Sequence, residues 1–180
     1  MTEQQLEQLR YPIGRFMLPE VTDLNTLQQW INDIDALPHL LKAVTKDISE
    51  SQLDTPYRPE GWTVRQVVHH LADSHINSHV RYRLALTENN PTILPYLEAQ
   101  WALLEDANHS PIESSLILLE GLHQRWVVLL RSMSSDDFQR TFYHPGRGRT
   151  LTLSMNTGLY AWHGKHHVAH ITRLRERNGW

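Results

Sequence analysis

Four amphipathic stretches, separated by breaks rich in proline and glycine, dominate the chain. From Asp23 onward, Leu24, Leu27, Trp30, Ile31, Ile34, Leu37, Leu40, Leu41 and Val44 recur at steps of three and four, the period of one helix face. Pro38 falls inside that pattern and, lacking an N–H, predicts a kink or two abutting helices. A second stripe, Val64, Val67, Val68, Leu71, His75, Val80 and Leu84, follows Thr63, a residue type that caps helix N-termini, and runs out near Glu88. The third carries Leu116, Leu119, Leu122, Trp126, Val127, Leu129 and Leu130 behind Ser110-Pro111, with proline expected in the first turn. The fourth is expected from about Thr152 to Arg177, and Gly179 is placed to end it.

Between the stripes, residues 1–22 read as an irregular arm broken by Pro12, Gly14 and Pro19. Leu53 to Trp62 is a connecting loop, Tyr96 to Glu105 a shorter helix, and residues 141–152 a hairpin around Pro145-Gly146 and Gly148. The most economical architecture is all-α: an antiparallel four-helix bundle with a long crossover and a short hairpin excursion before the last helix. Residues 23–180 are expected to form this single domain.

Composition narrows the function classes. With Lys+Arg 17 against Asp+Glu 20 and no basic stripe, a nucleic-acid partner is not expected. The absence of cysteine excludes disulfides, thiolate metal ligands and a catalytic cysteine, and fits a reducing cytoplasm. The polar, acidic N-terminus is unlike a signal peptide, and the apolar runs fall short of the ~18 residues of a membrane helix. A cytoplasmic protein without a membrane partner is therefore expected.

The unusual feature is twelve histidines, eight of them within residues 69–79 and 163–170. Random placement would give about 0.7 pairs at i, i+4 spacing, the spacing that stacks two side chains on one helix face. The chain has three: His75/His79, His163/His167 and His166/His170. His70 lies on the ridge Val67, His70, Ser74, Asn77, at the border of the second apolar stripe, where it would enter the seam between helices; His69 would face elsewhere. Three imidazoles from two facing helices could hold a transition metal with an open position. Packed, hydrogen-bonded histidines would satisfy the same pattern.

Longer strings carry a resemblance. Leu53-Asp-Thr-Pro-Tyr-Arg, Gly61-Trp-Thr-Val-Arg-Gln-Val-Val-His-His-Leu-Ala-Asp-Ser-His75, Phe142-Tyr-His-Pro145 and Gly158-Leu-Tyr-Ala-Trp-His163 through His166-His-Val-Ala-His-Ile171 resemble the YfiT group of metal-dependent hydrolases. That group belongs to the DinB-like superfamily of metal-binding four-helix bundles. The resemblance implies a metal triad of His70, His163 and His167, zinc or nickel as the metal, and a homodimer. Lys165 departs from the three consecutive histidines that the group can show, outside the triad. Related bundles are S-transferases or isomerases that use low-molecular-weight thiols.

Two chemistries therefore stand beside a non-catalytic, metal-binding stress protein. A three-histidine metal could activate water against an electrophilic small-molecule substrate. It could also hold a thiol cosubstrate as thiolate. Asp73, one turn beyond His70, could orient a ligand imidazole, and His170 could act as an outer partner or proton shuttle. His123 and Glu120 could satisfy each other on the third helix. The loop His144-Pro-Gly-Arg-Gly-Arg149 could be an anion cradle, but it lacks the ending and flanking elements of a phosphate loop and reads as a turn. Trp62, Trp101, Trp126 and Trp162 are expected in the core and pocket walls.

Overall fold

The structure is a computed structural model that describes residues 2–19 and 22–180; positions 1, 20 and 21 of the expected arm lie outside it. In chain order the elements are α1 (Glu3–Arg10), α2 (Leu24–Val44), α3 (Glu50–Leu53), α4 (Val64–Thr87), α5 (Glu98–Trp101), α6 (Glu105–His109), α7 (Glu113–Ser132) and α8 (Ser135–Gln139). The strands β1 (Thr141–His144) and β2 (Arg149–Thr152) and the last helix, α9 (Leu153–Asn178), follow. No helix among the described residues is long and apolar enough to cross a membrane.

Local chemistry sets the helix ends. Thr63 accepts from Gln66 N while the Gln66 side chain returns to Thr63 N at 2.9 Å, a reciprocal cap that starts α4 where the stripe predicts. Thr152 caps α9, and Gly179, at φ 67°, ends it in the left-handed conformation that glycine adopts without a Cβ penalty. The strands pair antiparallel from Thr141↔Thr152 to His144↔Arg149, the expected hairpin, closed by Gly148 at φ 61°.

Four differences from the sequence reading have local causes. The arm is not irregular throughout: Thr2 and Gln5 form a capping box that starts α1, and every breaker lies beyond it. Of the two outcomes expected at Pro38, two abutting helices are not formed: α2 is one helix through it. Pro111 precedes α7, whose first residue is Glu113, so it does not occupy the first turn. The single helix expected at Tyr96–Glu105 is instead the two short helices α5 and α6.

The long helices form a ring of contacts in which α2 and α4 each touch both α7 and α9. The sequential neighbours α2 and α4 thus lie across the bundle, as do α7 and α9. Glycines allow the closest approach: a Cβ at Gly158 would meet the Trp30 ring at 2.9 Å, and one at Gly164 would meet Leu37 Cδ2 at 2.8 Å.

Two apolar cores fill the bundle. One gathers Ile31, Ile34, Tyr82, Trp126, Leu130, Phe142 and Leu153; the other gathers Leu37, Leu41, Val64, Val68, Leu71, Leu119 and Ile171. Each fully buried aliphatic side chain contributes roughly 1.5–3 kcal/mol of hydrophobic stabilisation. Along α4, α7 and α9 polar side chains are buried between the two cores: Ser74, His75, Ser78 and His79; His123; and His166 and His167. Histidine thus forms a layer between two hydrocarbon blocks.

Candidate metal centre

At the edge of that layer one nitrogen from each of His70, His163 and His167 lies within 4.8 Å of the others. His70 Nε2 is 3.2 Å from His163 Nε2, and the His167 ring centroid is 4.9 Å from that of His70 and 4.6 Å from that of His163. The i, i+4 spacing on α9 stacks His163 over His167, and the contact of α4 with α9 brings His70 to meet them. Trp62 covers the group, its ring 4.6 Å from His70 and stacked at 6.4 Å on His167. Burial lowers the pKa of His70 to about 4 and those of His163 and His167 well below the ordinary value, with neighbouring imidazoles adding to the effect on His163 and His167. At neutral pH all three are uncharged, the form that binds metals.

His163 is oriented by a relay the sequence reading missed. Its Nδ1 is 3.2 Å from His75 Nε2, His75 Nδ1 is 3.0 Å from His123 Nε2, and His123 Nδ1 is 2.7 Å from the carbonyl of Ile34. A carbonyl only accepts, so His123 carries its proton on Nδ1 and presents a bare Nε2. His75 must then donate from Nδ1, and His163 must donate from Nδ1 to His75 Nε2. The Nε2 lone pair of His163 is left facing His70. The carbonyl itself is free because the residue four positions on is Pro38, which has no N–H to close the helical bond. The helix proline and the histidine layer are therefore one device.

The remaining candidates fall as follows. His69 turns away to Ser115 Oγ at 2.8 Å and the Ser110 carbonyl at 3.2 Å, as expected. Glu120 is exposed and does not pair with His123, whose ring is taken by His75 and Ile34. Among the described residues the Asp73 carboxylate makes no hydrogen bond to the three histidines; burial and Asp106 raise its pKa to about 6. His170 donates from Nε2 to the Arg10 carbonyl at 3.1 Å and stacks on Tyr57 at 3.9 Å, so it ties the arm to α9. With His166 and His167 it forms a second histidine group, all three Nδ1 atoms buried without a partner. Trp126 is fully buried and Trp162 lines a cavity, whereas Trp101 is 38% exposed and is not a core residue.

That cavity, about 500 Å³, opens beside His163 and is bounded by Tyr160, Arg81, Tyr96, His144 and Arg147. The Tyr160 hydroxyl donates to the Ser74 carbonyl at 3.2 Å, and its ring lies 5.5 Å from that of His163. The hairpin turn supplies His144, Gly146 and Arg147 to the wall.

The DinB superfamily model matches residues 33–171, which includes all three histidines of the triad. The chain belongs to the DinB superfamily. It is 53% identical over 175 residues, 97% of this chain and all of the relative, to a Bacillus cereus protein named "Putative metal-dependent hydrolase". A Bacillus thuringiensis protein of the same name matches at the same identity and coverage. Among solved structures, YfiT from Bacillus subtilis, described as "a probable metal-dependent hydrolase with an unusual four-helix bundle topology", superposes with a TM-score of 0.94 at 48% identity. The match covers 96% of this chain and 99% of YfiT. The diagonal placement of sequential helices described above is the topology of this DinB member.

Proposed function

We propose that this chain is a metal-dependent hydrolase, with His70, His163 and His167 holding one zinc or nickel ion beside the substrate cavity. The observation that carries the reading is the convergence of three neutral imidazoles, His70 and His167 buried and His163 half-buried at the cavity, the last with its Nε2 lone pair fixed toward the others. The names of the relatives support it. The donor set fits the ion: imidazole nitrogen suits zinc and nickel, and three protein ligands leave a position open. A metal held there supplies Lewis acidity, lowering the pKa of water at the open position toward neutrality.

The chain's own residues do the rest. His75 and His123 hold His163 in one tautomer. Trp62 shields the side of His70 and His167, so His163 is the member of the triad that meets the cavity. Tyr160, its hydroxyl proton held by the Ser74 carbonyl, presents its ring beside His163 as the wall against which a substrate would lie.

The test is metal content by elemental mass spectrometry for the wild type and for His70→Ala, His163→Ala and His167→Ala, followed by hydrolysis of an aryl-ester panel. Near-stoichiometric metal that falls in all three variants, with hydrolysis that follows the metal, is expected. Metal retained in the variants overturns the site. Turnover that consumes an added thiol in place of water replaces hydrolysis with thiol transfer; with no cysteine in the chain, that thiol must come as a cosubstrate.

A further inference from the structure

Among the described residues two arginines are buried, and one of them is paired there with a counter-ion. Arg65, 4% exposed, binds Glu50 at 2.6 Å, Asp54 at 2.9 Å and the Ser110 carbonyl at 3.0 Å. Arg81, 8% exposed, has no carboxylate within 4.0 Å among the described residues. Among the described residues its one hydrogen bond is a long contact, 3.5 Å, to the neutral Tyr160 hydroxyl. The side chain is packed away, but its unpartnered nitrogens are absent from the buried unpaired atoms, so the charged end meets the solvent of a cavity with no carboxylate of the described residues bound to it. Arg81 is also a wall of the cavity that His163 borders. Arg147 and His144 lie on the same wall, and the one carboxylate there belongs to the exposed Glu98. His144 senses the excess of positive charge: beyond burial, Arg81, Arg147 and Arg149 each push its pKa down.

We infer that the missing partner of Arg81 is the substrate: the cavity takes a molecule bearing an oxyanion, a carboxylate or a phosphate, which Arg81 binds while the scissile group lies toward His163. Tyr160 is the spacer, touching Arg81 through its hydroxyl and His163 through its ring, so anion and reacting bond sit on either side of one aromatic residue. The planar guanidinium fork matches either oxyanion, and the low dielectric of a buried site strengthens the pairing. The inference rests on the reading of the three histidines as the reactive centre only for the direction in which the substrate points, not for the anion site itself.

Calorimetric titration of the full-length protein, both metal-loaded and chelator-treated, with succinate, with inorganic phosphate and with neutral succinamide tests it. Wild type should bind at least one of the two anions in both metal states and bind succinamide at least tenfold more weakly, the scale of a charged hydrogen bond. Preference for succinate assigns a carboxylic acid substrate, and preference for phosphate assigns a phosphate-bearing one. Arg81→Met should weaken anion binding by roughly tenfold or more, with Arg81→Lys intermediate. Because an apolar side chain often replaces a buried arginine at little cost, Arg81→Met should keep its helical circular dichroism; if it unfolds, Arg81→Lys and Arg81→Gln decide the matter. Anion affinity equal to that for succinamide, or unchanged in the folded Arg81 variants, overturns the inference. Anion binding that survives in a protein without hydrolytic activity would defeat the hydrolase reading alone.

Discussion

The imidazole of His123 donates from Nδ1 to the carbonyl of Ile34 over 2.7 Å, across the interface between α7 and α2. This bond sets the direction of every proton in the relay through His75 to His163. Replacing His123 with Phe keeps an aromatic ring, though a larger one, and removes the acceptor for His75, which is then free to turn its tautomer round. Metal affinity, measured by competition with a chromophoric chelator, should fall about 10–100-fold, the usual cost of losing an outer hydrogen-bond partner. Long-range ¹⁵N correlation spectra of the metal-free protein should show His163 protonated on Nδ1 in the wild type and mixed in the variant. An unchanged His163 spectrum would mean that packing alone holds the ring.

Pro38 makes the second test. Pro38→Ala restores an N–H aimed at the Ile34 carbonyl and removes a poor helix former, so the protein should gain about 1–3 kcal/mol of stability in chemical denaturation. The same N–H competes with His123 for that carbonyl, so the His123 Nδ1 proton should become more labile and metal affinity should drop. Gain of stability together with loss of affinity is the expected signature. A rise in both would detach the proline from the site.

The parts of this design differ in how visible they are in the sequence. Cap residues are local, so Thr63 and Gly179 marked the ends of α4 and α9, and Pro145-Gly146 marked the hairpin. His163 and His167 announce themselves by spacing, and His70 by its ridge beside the stripe. His75 and His123 hide because each stands on an apolar stripe, one turn after Leu71 and Leu119, and its partner comes from another helix. The available clue was chemical: an imidazole at a core position needs a hydrogen-bond partner, and a proline inside a helix leaves a carbonyl without one. Arg81 hides for the opposite reason. A charged residue on an amphipathic helix reads as solvated, and nothing local records that α9 and the hairpin cover it. The α1 helix escaped because its polar composition gives no stripe, although Thr2 and Gln5 carry the capping box.

Acid should unfold the metal-free protein early. Ten histidines have pKa values depressed in the fold, burial being the first cause for each, with His70, His79, His123 and His170 near 4 and His166 near 3. These rings hold protons more weakly folded than unfolded, so below the ordinary value of 6.5 the unfolded chain binds the larger number. Stability is then fully present above about pH 6.5 and is lost as the pH falls toward 4. Thermal unfolding of chelator-treated protein should show a nearly level Tm above pH 7 and a steep decline below 6.5. Metal competes with protons for the same nitrogens, so the loaded protein should decline at lower pH. A level Tm down to pH 4.5 without metal would mean that the histidine layer admits protons at no cost.

The same glycine-to-alanine substitution should have opposite signs at two positions. At Gly121, on the exposed side of α7, a Cβ would meet nothing within 4 Å, so Gly121→Ala should stabilise by up to about 1 kcal/mol through helix propensity. At Gly164 the same propensity gain is available, but the Cβ would stand 2.8 Å from Leu37 Cδ2 and 3.0 Å from Cδ1. Leu37 is 2% exposed, so the clash is relieved either by shifting its side chain within a packed core or by separating α2 from α9. Overpacking of this kind costs roughly 1–3 kcal/mol, which outweighs the propensity gain. Gly164 adjoins His163, and Ile34, the anchor of the relay, lies on α2, so any separation also lengthens the path from the carbonyl to the triad. Gly164→Ala should therefore lower both Tm and metal affinity, whereas Gly121→Ala raises Tm and leaves metal affinity unchanged. Equal effects at the two positions would show that the α2–α9 contact is loose enough to absorb a methyl group, and that the site does not depend on its closeness.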